Sequence, residues 1–295
     1  MNTGLMQQRI DAVDALPPLR DVISSHQLSA QKSLGQNFLL DMNITDKIVR
    51  ETAQNYGGEW SHVHAFEIGP GPGGLTRSLL RSGVKSVTAF EFDSRAVDAL
   101  DGLKLAASGD LDIVQADAMK VNLLDYAKDP RVIVANLPYN IATPLLVGWL
   151  KQIRSNHEAY GCMALMFQKE VAERIVARPE TKAYGRLAVI SQWLCDVSIL
   201  YELPASAFIP PPKVKSAIVF FKPKSLAVNA PSFDVVERVT ATAFNQRRKM
   251  VRSSLKNYLD AIEAIGIEPT KRAENLSVDD YLSLASFDGE PQKGL

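Results

Sequence analysis

HAFEIGPGPGGLT (residues 64–76) decides the fold of this 295-residue chain. HAFEIG (64–69) is a short, mostly apolar run. It passes directly into Gly69-Pro70-Gly71-Pro72-Gly73-Gly74, after which a helical pattern begins. Glycine lets a chain leave a strand sharply and bring its backbone close to a ligand. A strand, a glycine turn and a helix in that order predict a site for a nucleotide-type ligand at the carboxyl end of a strand.

The same alternation spreads outward. Further apolar runs lie at SVTAFEF (86–92), LDIVQ (111–115), RVIVANL (131–137), CMALMFQ (162–168), CDVSILYE (195–202) and KSAIVFFK (215–222). Helical stretches near 43–56, 74–82, 94–106, 143–154, 169–177 and 186–194 are interleaved with them. Ser94 and Thr143-Pro144 read as helix starts, and Gly57-Gly58 ends the helix over 43–56. This pattern predicts an α/β fold, a mostly parallel seven-strand sheet with helices on both faces. Only the proline-rich 203–214 separates the last two runs. A parallel crossover needs more chain, so the final pair is expected to be antiparallel.

The ends read differently. Residues 1–25, with Gly4 and Pro17-Pro18, read as a loosely ordered lead-in holding one short helix. PKSLAVNAP (223–231) reads as a linker. Beyond it, 234–245, 247–263 and 277–286 read as helices, with Ser277 and Asp280 forming a capping box. The expected organisation is a lead-in over 1–25, an α/β domain over 26–224 and a small all-helical domain over 232–295.

Composition excludes several classes. Hydrophobic residues make up 46% and charged residues 22%, which is ordinary globular usage. Lys+Arg and Asp+Glu are both 33, so the chain is not basic throughout, although a local basic patch is allowed. Cys162 and Cys195 are too few for a disulfide scaffold or a cysteine-based zinc site. The four histidines, His26, His62, His64 and His157, offer no i,i+4 metal pair, so no metal is expected. No apolar run approaches the roughly 18–20 residues of a membrane span, and the N-terminus lacks a basic-then-apolar leader. The expectation is a cytoplasmic protein that does not engage a membrane.

Three successive strand ends carry chemistry. The glycines match G-x-G-x-x-G as Gly69, Gly71 and Gly74, and Glu91 lies 22 residues after Gly69. A dinucleotide-binding dehydrogenase therefore stays open. Glu91 ends the second run, where a carboxylate can accept from both ribose hydroxyls. Asp117, in QADAM (115–119), follows the third. It can accept from an adenine amine or serve as the cap of a short helix. Together they suit adenosine with a short, uncharged or cationic tail.

The fourth run ends in Asn136-Leu137-Pro138-Tyr139. Methyl transfer to an adenine N6 meets a specific obstacle, because the amine lone pair is delocalised into the ring. Two acceptors aimed at its N–H groups, Asn136 Oδ1 and the Leu137 carbonyl, favour a pyramidal nitrogen and free that pair. Pro138 stiffens the turn that aims them. Tyr139 offers a ring for the target base, and stacking is worth ~1–3 kcal/mol per base. A hydride-transfer enzyme has no use for this tetrapeptide.

At this point the chain resembles the KsgA (RsmA) family of rRNA adenine N6,N6-dimethyltransferases. The matching segments run over roughly 30–286. They are KSLGQNFLLD (32–41), FEIGPGPGGLT (66–76), the Glu-x-Asp of EFDS (91–94), QADAM (115–119), NLPYNIATPLL (136–146), FQKEVAERI (167–175), SAFIPPPKVKSAIV (206–219) and AFNQRRKMVRSSL (243–255). The resemblance implies a Rossmann-like class I methyltransferase domain and S-adenosyl-L-methionine as donor. The donor would be held by Asn37, Leu39, Gly69, Gly71, Glu91, Asp117 and Asn136. Phe208 would face Tyr139 across an extruded base. The implied substrate is a pair of adjacent adenines in the 3′-terminal hairpin loop of 16S rRNA, within an immature 30S particle, and the implied enzyme is a monomer. The family often has Arg directly after Glu-x-Asp. Here Ser94 intervenes before Arg95, which leaves Arg95 without an assigned role.

Charge is segregated along the chain. Ser206 to Tyr258 holds ten basic and two acidic residues, a net of +8, whereas Leu259 to Leu295 holds three basic and eight acidic, a net of −5. A basic strip beside the active-site mouth, formed by Lys213, Lys215, Arg247, Arg248, Lys249 and Arg252, is expected to bind RNA phosphates. Lys222 and Lys224 are equally well read as a solvated face. Two readings outside methyl transfer remain, a nicotinamide oxidoreductase and a non-catalytic RNA-binding assembly factor. A large-subunit rRNA adenine methyltransferase is the near alternative.

Overall fold

The computed structural model describes residues 3–28, 36–128, 130–227 and 229–289. Lys32 to Gly35 of the N-terminal motif and Val228 of the linker lie outside them. Seven strands form one sheet: β2 (His64–Ile68), β3 (Ser86–Glu91), β4 (Leu111–Gln115), β5 (Arg131–Ala135), β6 (Cys162–Gln168), β7 (Cys195–Leu203) and β9 (Ser216–Pro223). Two short strands, β1 (Phe38–Leu39) and β8 (Phe208–Ile209), pair separately and antiparallel. The helices are α1 (Thr3–Asp14), α2 (Leu19–Ser25), α3 (Met42–Tyr56), α4 (Gly74–Arg81), α5 (Ser94–Ala99), α6 (Asp101–Ala106), α7 (Tyr139–Ser155), α8 (Lys169–Val176), α9 (Arg186–Leu194), α10 (Phe233–Asn245), α11 (Val251–Ser254), α12 (Leu259–Ile265) and α13 (Val278–Gly289).

The sheet order is β4-β3-β2-β5-β6-β9-β7. Strands β4 to β6 are parallel, and β9 enters antiparallel to β6, beside the edge strand β7. Sequence chemistry matches position. Central β5 reads RVIVA and is buried throughout, whereas edge strands β4 and β7 mix buried with exposed residues. Strand order reverses between β2 and β5. That reversal is where open α/β sheets leave a crevice at their carboxyl ends, and it places the glycine loop next to the residues that follow β5.

Four local expectations change. Residues 1–25 are not a loose lead-in, because α1 and α2 account for most of them. Asp93, not Ser94, caps α5, its side chain accepting from Arg95 N. Helix α7 starts at Tyr139, four residues before Thr143, because the Pro138 carbonyl accepts from Ile141 and Ala142 N–H and closes the first turn there. Pro144, the sixth residue of α7, lacks the N–H that would donate to the Asn140 carbonyl. The single helix expected over 247–263 is instead α11, a 3₁₀ turn and α12. The Ser277/Asp280 capping box forms as read: Asp280 N donates to Ser277 Oγ at 3.0 Å and Ser277 N to Asp280 Oδ2 at 2.8 Å.

The chain divides into two compact units. One comprises Met1–Trp149, Glu158–Lys169 and Ser198–Lys222, and the other Leu150–His157, Glu170–Val197 and Pro223–Leu295. The first holds the main apolar core, with Val63, Ala65, Leu79, Leu80, Val87 and Val132 fully buried. The second is built on α9, α10 and α13, where Phe244 lies 6.1 Å from the Tyr184 ring and 5.7 Å from the Tyr281 ring, and Trp193 stacks on Phe233.

Candidate active site

A cavity of about 240 Å³ opens in the first unit at the carboxyl ends of β2, β3, β4 and β5. Its lining includes every residue expected to hold a donor: Asn37, Leu39, Gly69, Gly71, Glu91, Asp117 and Asn136. Leu137 and Pro138 line it too. A Cβ on Gly69 would sit 3.6 Å from the Pro138 ring, so the glycine loop and the Asn-Leu-Pro corner are in contact distance.

The loop is held against its neighbours. Gly71 has φ +54°, and a Cβ there would lie 3.0 Å from the Phe38 ring, so a side chain is both strained and crowded. Gly74 is closed in differently: a Cβ would come within 2.7 Å of the Leu39 carbonyl and 3.2 Å of Leu19 Cδ1. The loop therefore touches the segment over 36–39 and α2 at one point.

Glu91 is no solvated strand end. It is 5% exposed. Its Oε1 accepts from Phe92 N at 2.8 Å and Asp93 N at 2.9 Å, and its Oε2 accepts from Gly71 N at 3.2 Å. Burial raises its pKa above the ordinary carboxylate value, and these backbone donors pull it partly back. Arg95 finds its task here. It grips Asp93 through Nη2 to Oδ2 at 2.6 Å and Nε to Oδ1 at 3.0 Å, and so holds the turn after Glu91. Asp117 is the cap that its sequence position allowed. Its Oδ1 caps a 3₁₀ turn by accepting from Met119 N at 3.0 Å, and the residue also lines the cavity.

Asn136 donates through Nδ2 to the Asn37 carbonyl at 3.1 Å. With the amide nitrogen engaged there, Oδ1 is the atom left to accept elsewhere. Tyr139 and Phe208 are not part of the cavity lining. The Tyr139 hydroxyl shares a 2.6 Å hydrogen bond with Ser216 Oγ, and burial raises its pKa. Phe208 is 1% exposed, in the main core, and β8 sets it opposite Leu39 of β1.

Among the lining residues that the sequence reading gave no role, two stand out chemically. Glu67, on β2, is fully buried, and its Oε2 has no hydrogen-bond partner among the described residues. Thr76 faces it without completing a bond of good geometry. Burial pushes the Glu67 carboxyl up to about 8. The signal was present in HAFEIG, as one charge inside a run that the sheet buries. Phe92 is 63% exposed at the rim, an apolar residue directly after Glu91. Of the described residues lining the cavity, three are acids (Glu67, Glu91 and Asp117) and none is basic.

The expected phosphate binders divide. Lys213, Lys215, Arg248, Lys249 and Arg252 are exposed. Arg247 is engaged, with Nε on Glu274 Oε2 at 2.8 Å and Nη2 donating to the Lys182 carbonyl at 2.5 Å. Lys222 Nζ donates to the Tyr56 carbonyl and lies over the Tyr56 ring, and Lys224 Nζ donates to the Gln192 carbonyl.

Residues 27–288 match the family model described as ribosomal RNA adenine dimethylase. The chain is 49% identical over 277 residues to "Ribosomal RNA small subunit methyltransferase A" of Dinoroseobacter shibae, covering 92% of this chain and 97% of that protein. Among solved structures it resembles a dimethyladenosine transferase from Plasmodium falciparum, with TM-score 0.69 and 29% identity over 83% of this chain and 94% of that one. The 23S rRNA methyltransferase ErmE shares the fold at TM-score 0.62 and 22% identity, over 85% of this chain and 100% of that one.

Proposed function

Because this chain belongs to the ribosomal RNA adenine dimethylase family, we propose that it methylates N6 of two adjacent adenines in the 3′-terminal hairpin loop of 16S rRNA. It is an S-adenosyl-L-methionine-dependent rRNA adenine dimethyltransferase on a class I methyltransferase fold. In the proposed setting it works as a monomer in the cytoplasm on an immature 30S particle. Residues 26–224 carry out the transfer and the helices over 232–295 help dock the substrate. No helix among the described residues is long and apolar enough to cross a membrane.

One observation carries the reading: a cavity with three acids and no described base is shared by the glycine loop and the Asn136-Leu137-Pro138 corner. A pyrophosphate-bearing dinucleotide would bring negative charge to those acids. A cationic adenosyl sulfonium avoids that clash, so the residues present fit it: Glu91 and Asp117 complement its charge, while buried Glu67, which keeps its proton near neutral pH, adds a polar oxygen rather than a charge. When bound, S-adenosyl-L-methionine supplies an electrophilic methyl group. Glu91 would hold the ribose hydroxyls, Asp117 the adenine amine, and Phe92 would cover the adenine face. Gly69 and Gly71 admit the ligand to the backbone, with Asn37 and Leu39 opposite them. The buried Glu67 oxygen offers an acceptor to the cationic end.

Asn136 Oδ1 and the Leu137 carbonyl would accept from the two N–H groups of the target amine. Asparagine is no strong base and none is needed, since the methylated nitrogen becomes acidic and loses its proton late, to solvent. The rate comes from positioning and acceptor geometry. Tyr139 would stack on the extruded base. Phe208 would take the opposite face only after it is uncovered from its present buried position. The exposed Lys213, Lys215, Arg248, Lys249 and Arg252 would hold phosphates. Arg247, spent on Glu274, would brace the segment that carries them.

The test is a labelled-methyl assay on unmethylated small subunits, with digestion to nucleosides. N6,N6-dimethyladenosine is expected. Asn136→Ala should cut transfer by about 10²–10³-fold while RNA affinity stays near native. A variant that keeps full activity removes the acceptor mechanism.

A further inference from the structure

We propose that α1 and α2 are an intramolecular brace for the donor pocket, holding in place the two helices that start at its glycine loop and at Glu91. The inference rests on the donor reading above. Both helices precede the family match, which begins at residue 27, and the methyl-transfer reading gives them no role.

Helix α1 is fastened by a buried cation. Arg9 is 2% exposed, donating from Nη1 to Asp110 Oδ2 at 2.7 Å and from Nη2 to the Val84 carbonyl at 3.0 Å. A buried guanidinium needs such partners, so this contact is specific rather than incidental. Val13 enters the main core beside it, 2% exposed. Two arginines of α4 reach back. Arg81 Nε meets Asp14 Oδ1 at 3.0 Å, and Arg77, 8% exposed, donates to the Pro17 carbonyl at 2.8 Å.

Helix α2 and the residues after it complete the brace. Leu19 packs at Gly74, where α4 starts and the Leu39 carbonyl also meets the loop. Leu28 packs with Ala96 and Ala99 of α5, the helix that begins three residues after Glu91. The segment thus grips α4 behind the glycine loop and α5 behind the ribose carboxylate. A shift of either helix start moves backbone or carboxylate at the ligand, and small misplacements at such sites are expensive.

Linkage makes the idea testable in both directions. If the brace favours donor binding, donor binding must favour the docked brace by the same factor. The probe is S-adenosylhomocysteine, used with the full chain. Leu19→Ala leaves a cavity beside Gly74 and should weaken its affinity, measured by calorimetry, about 10-fold or more, with KM for RNA unchanged. Val236→Ala, a buried site on α10 in the other unit, should lower the melting temperature to a similar degree and leave that affinity alone. In the native chain S-adenosylhomocysteine should slow tryptic cleavage at the exposed Arg20 several-fold, and Leu19→Ala should lose most of this protection. Native affinity in Leu19→Ala, an equal loss in Val236→Ala, or cleavage at Arg20 that ignores the ligand would overturn the brace. A native chain that binds no S-adenosylhomocysteine would overturn the donor assignment as well.

Discussion

The donor cavity and the basic segment from Ser206 to Tyr258 were both marked by residue type, and they turn out unlike. In the cavity, each marked polar group has a fixed place: Glu91 is buried and held by three backbone N–H groups, and the Asn136 amide is turned by the Asn37 carbonyl. In the basic segment the charges split between anchors and exposed side chains. Arg247, Lys222 and Lys224 are tied to carbonyls or a carboxylate, while Arg248, Lys249 and Arg252 face solvent. A polar residue at a strand end is aimed by the fold. A charge in a run is aimed only by whatever partner it meets, and sequence spacing does not say which.

The sharpest way to break this contrast is at Glu91. Its two oxygens connect the glycine loop to the turn after β3, so Glu91→Ala loses the proposed ribose acceptors and the clamp together. Hydrogen bonds to charged groups contribute about 1.5–3 kcal/mol each. The expected outcome is donor affinity weaker by roughly 10²-fold or more, read by calorimetry, with RNA binding unchanged. Unaltered affinity would mean that the cavity's order has nothing to do with this ligand.

That difference explains what was legible beforehand. The sheet, the glycine loop and the Asn-Leu-Pro-Tyr corner could be read because strand runs and their ends follow from short-range pattern. Glu67 was visible only as a charge inside an apolar run, and it took the strand order to show that β2 is central and this carboxyl buried. The start of α7 was misplaced because Thr143-Pro144 is a good local signal, and the Pro138 carbonyl overrides it with two hydrogen bonds. Over residues 1–25 one short helix was expected where α1 and α2 stand, for a related reason. What fixes them is tertiary: Arg9 finds Asp110, 101 residues away, and no local periodicity announces that pair.

Glu67 sharpens the comparison from the cavity side. Its folded pKa of about 8 stands above the ordinary value of 4.5, because burial disfavours the carboxylate. The folded chain therefore holds a proton that the unfolded chain has released across that interval. Stability from this group is fully present below about pH 4.5 and is lost as pH rises through about 8. The amount is on the order of a few kcal/mol. Glu67→Gln should remove this downward slope in urea midpoints measured between pH 5 and 8. A slope that persists unchanged places the titrating group elsewhere.

The smallest effect is expected in the basic segment, where two adjacent arginines should behave oppositely. Arg247→Ala removes the partner of Glu274 and the donor to the Lys182 carbonyl, so the second unit should lose roughly 1–2 kcal/mol of stability. Its effect on how RNA affinity varies with salt should be slight. Arg248→Ala with Lys249→Ala removes only exposed charge, so melting should hardly move. RNA binding should weaken a few-fold at moderate salt, and the slope of log affinity against log salt should flatten by about 2, one for each phosphate no longer neutralised. The two variants share a neighbourhood and a sign of charge, so only the partner each side chain meets separates them. If Arg247→Ala flattened the slope and the double variant did not, exposure would be the wrong guide to which of these cations meets phosphate.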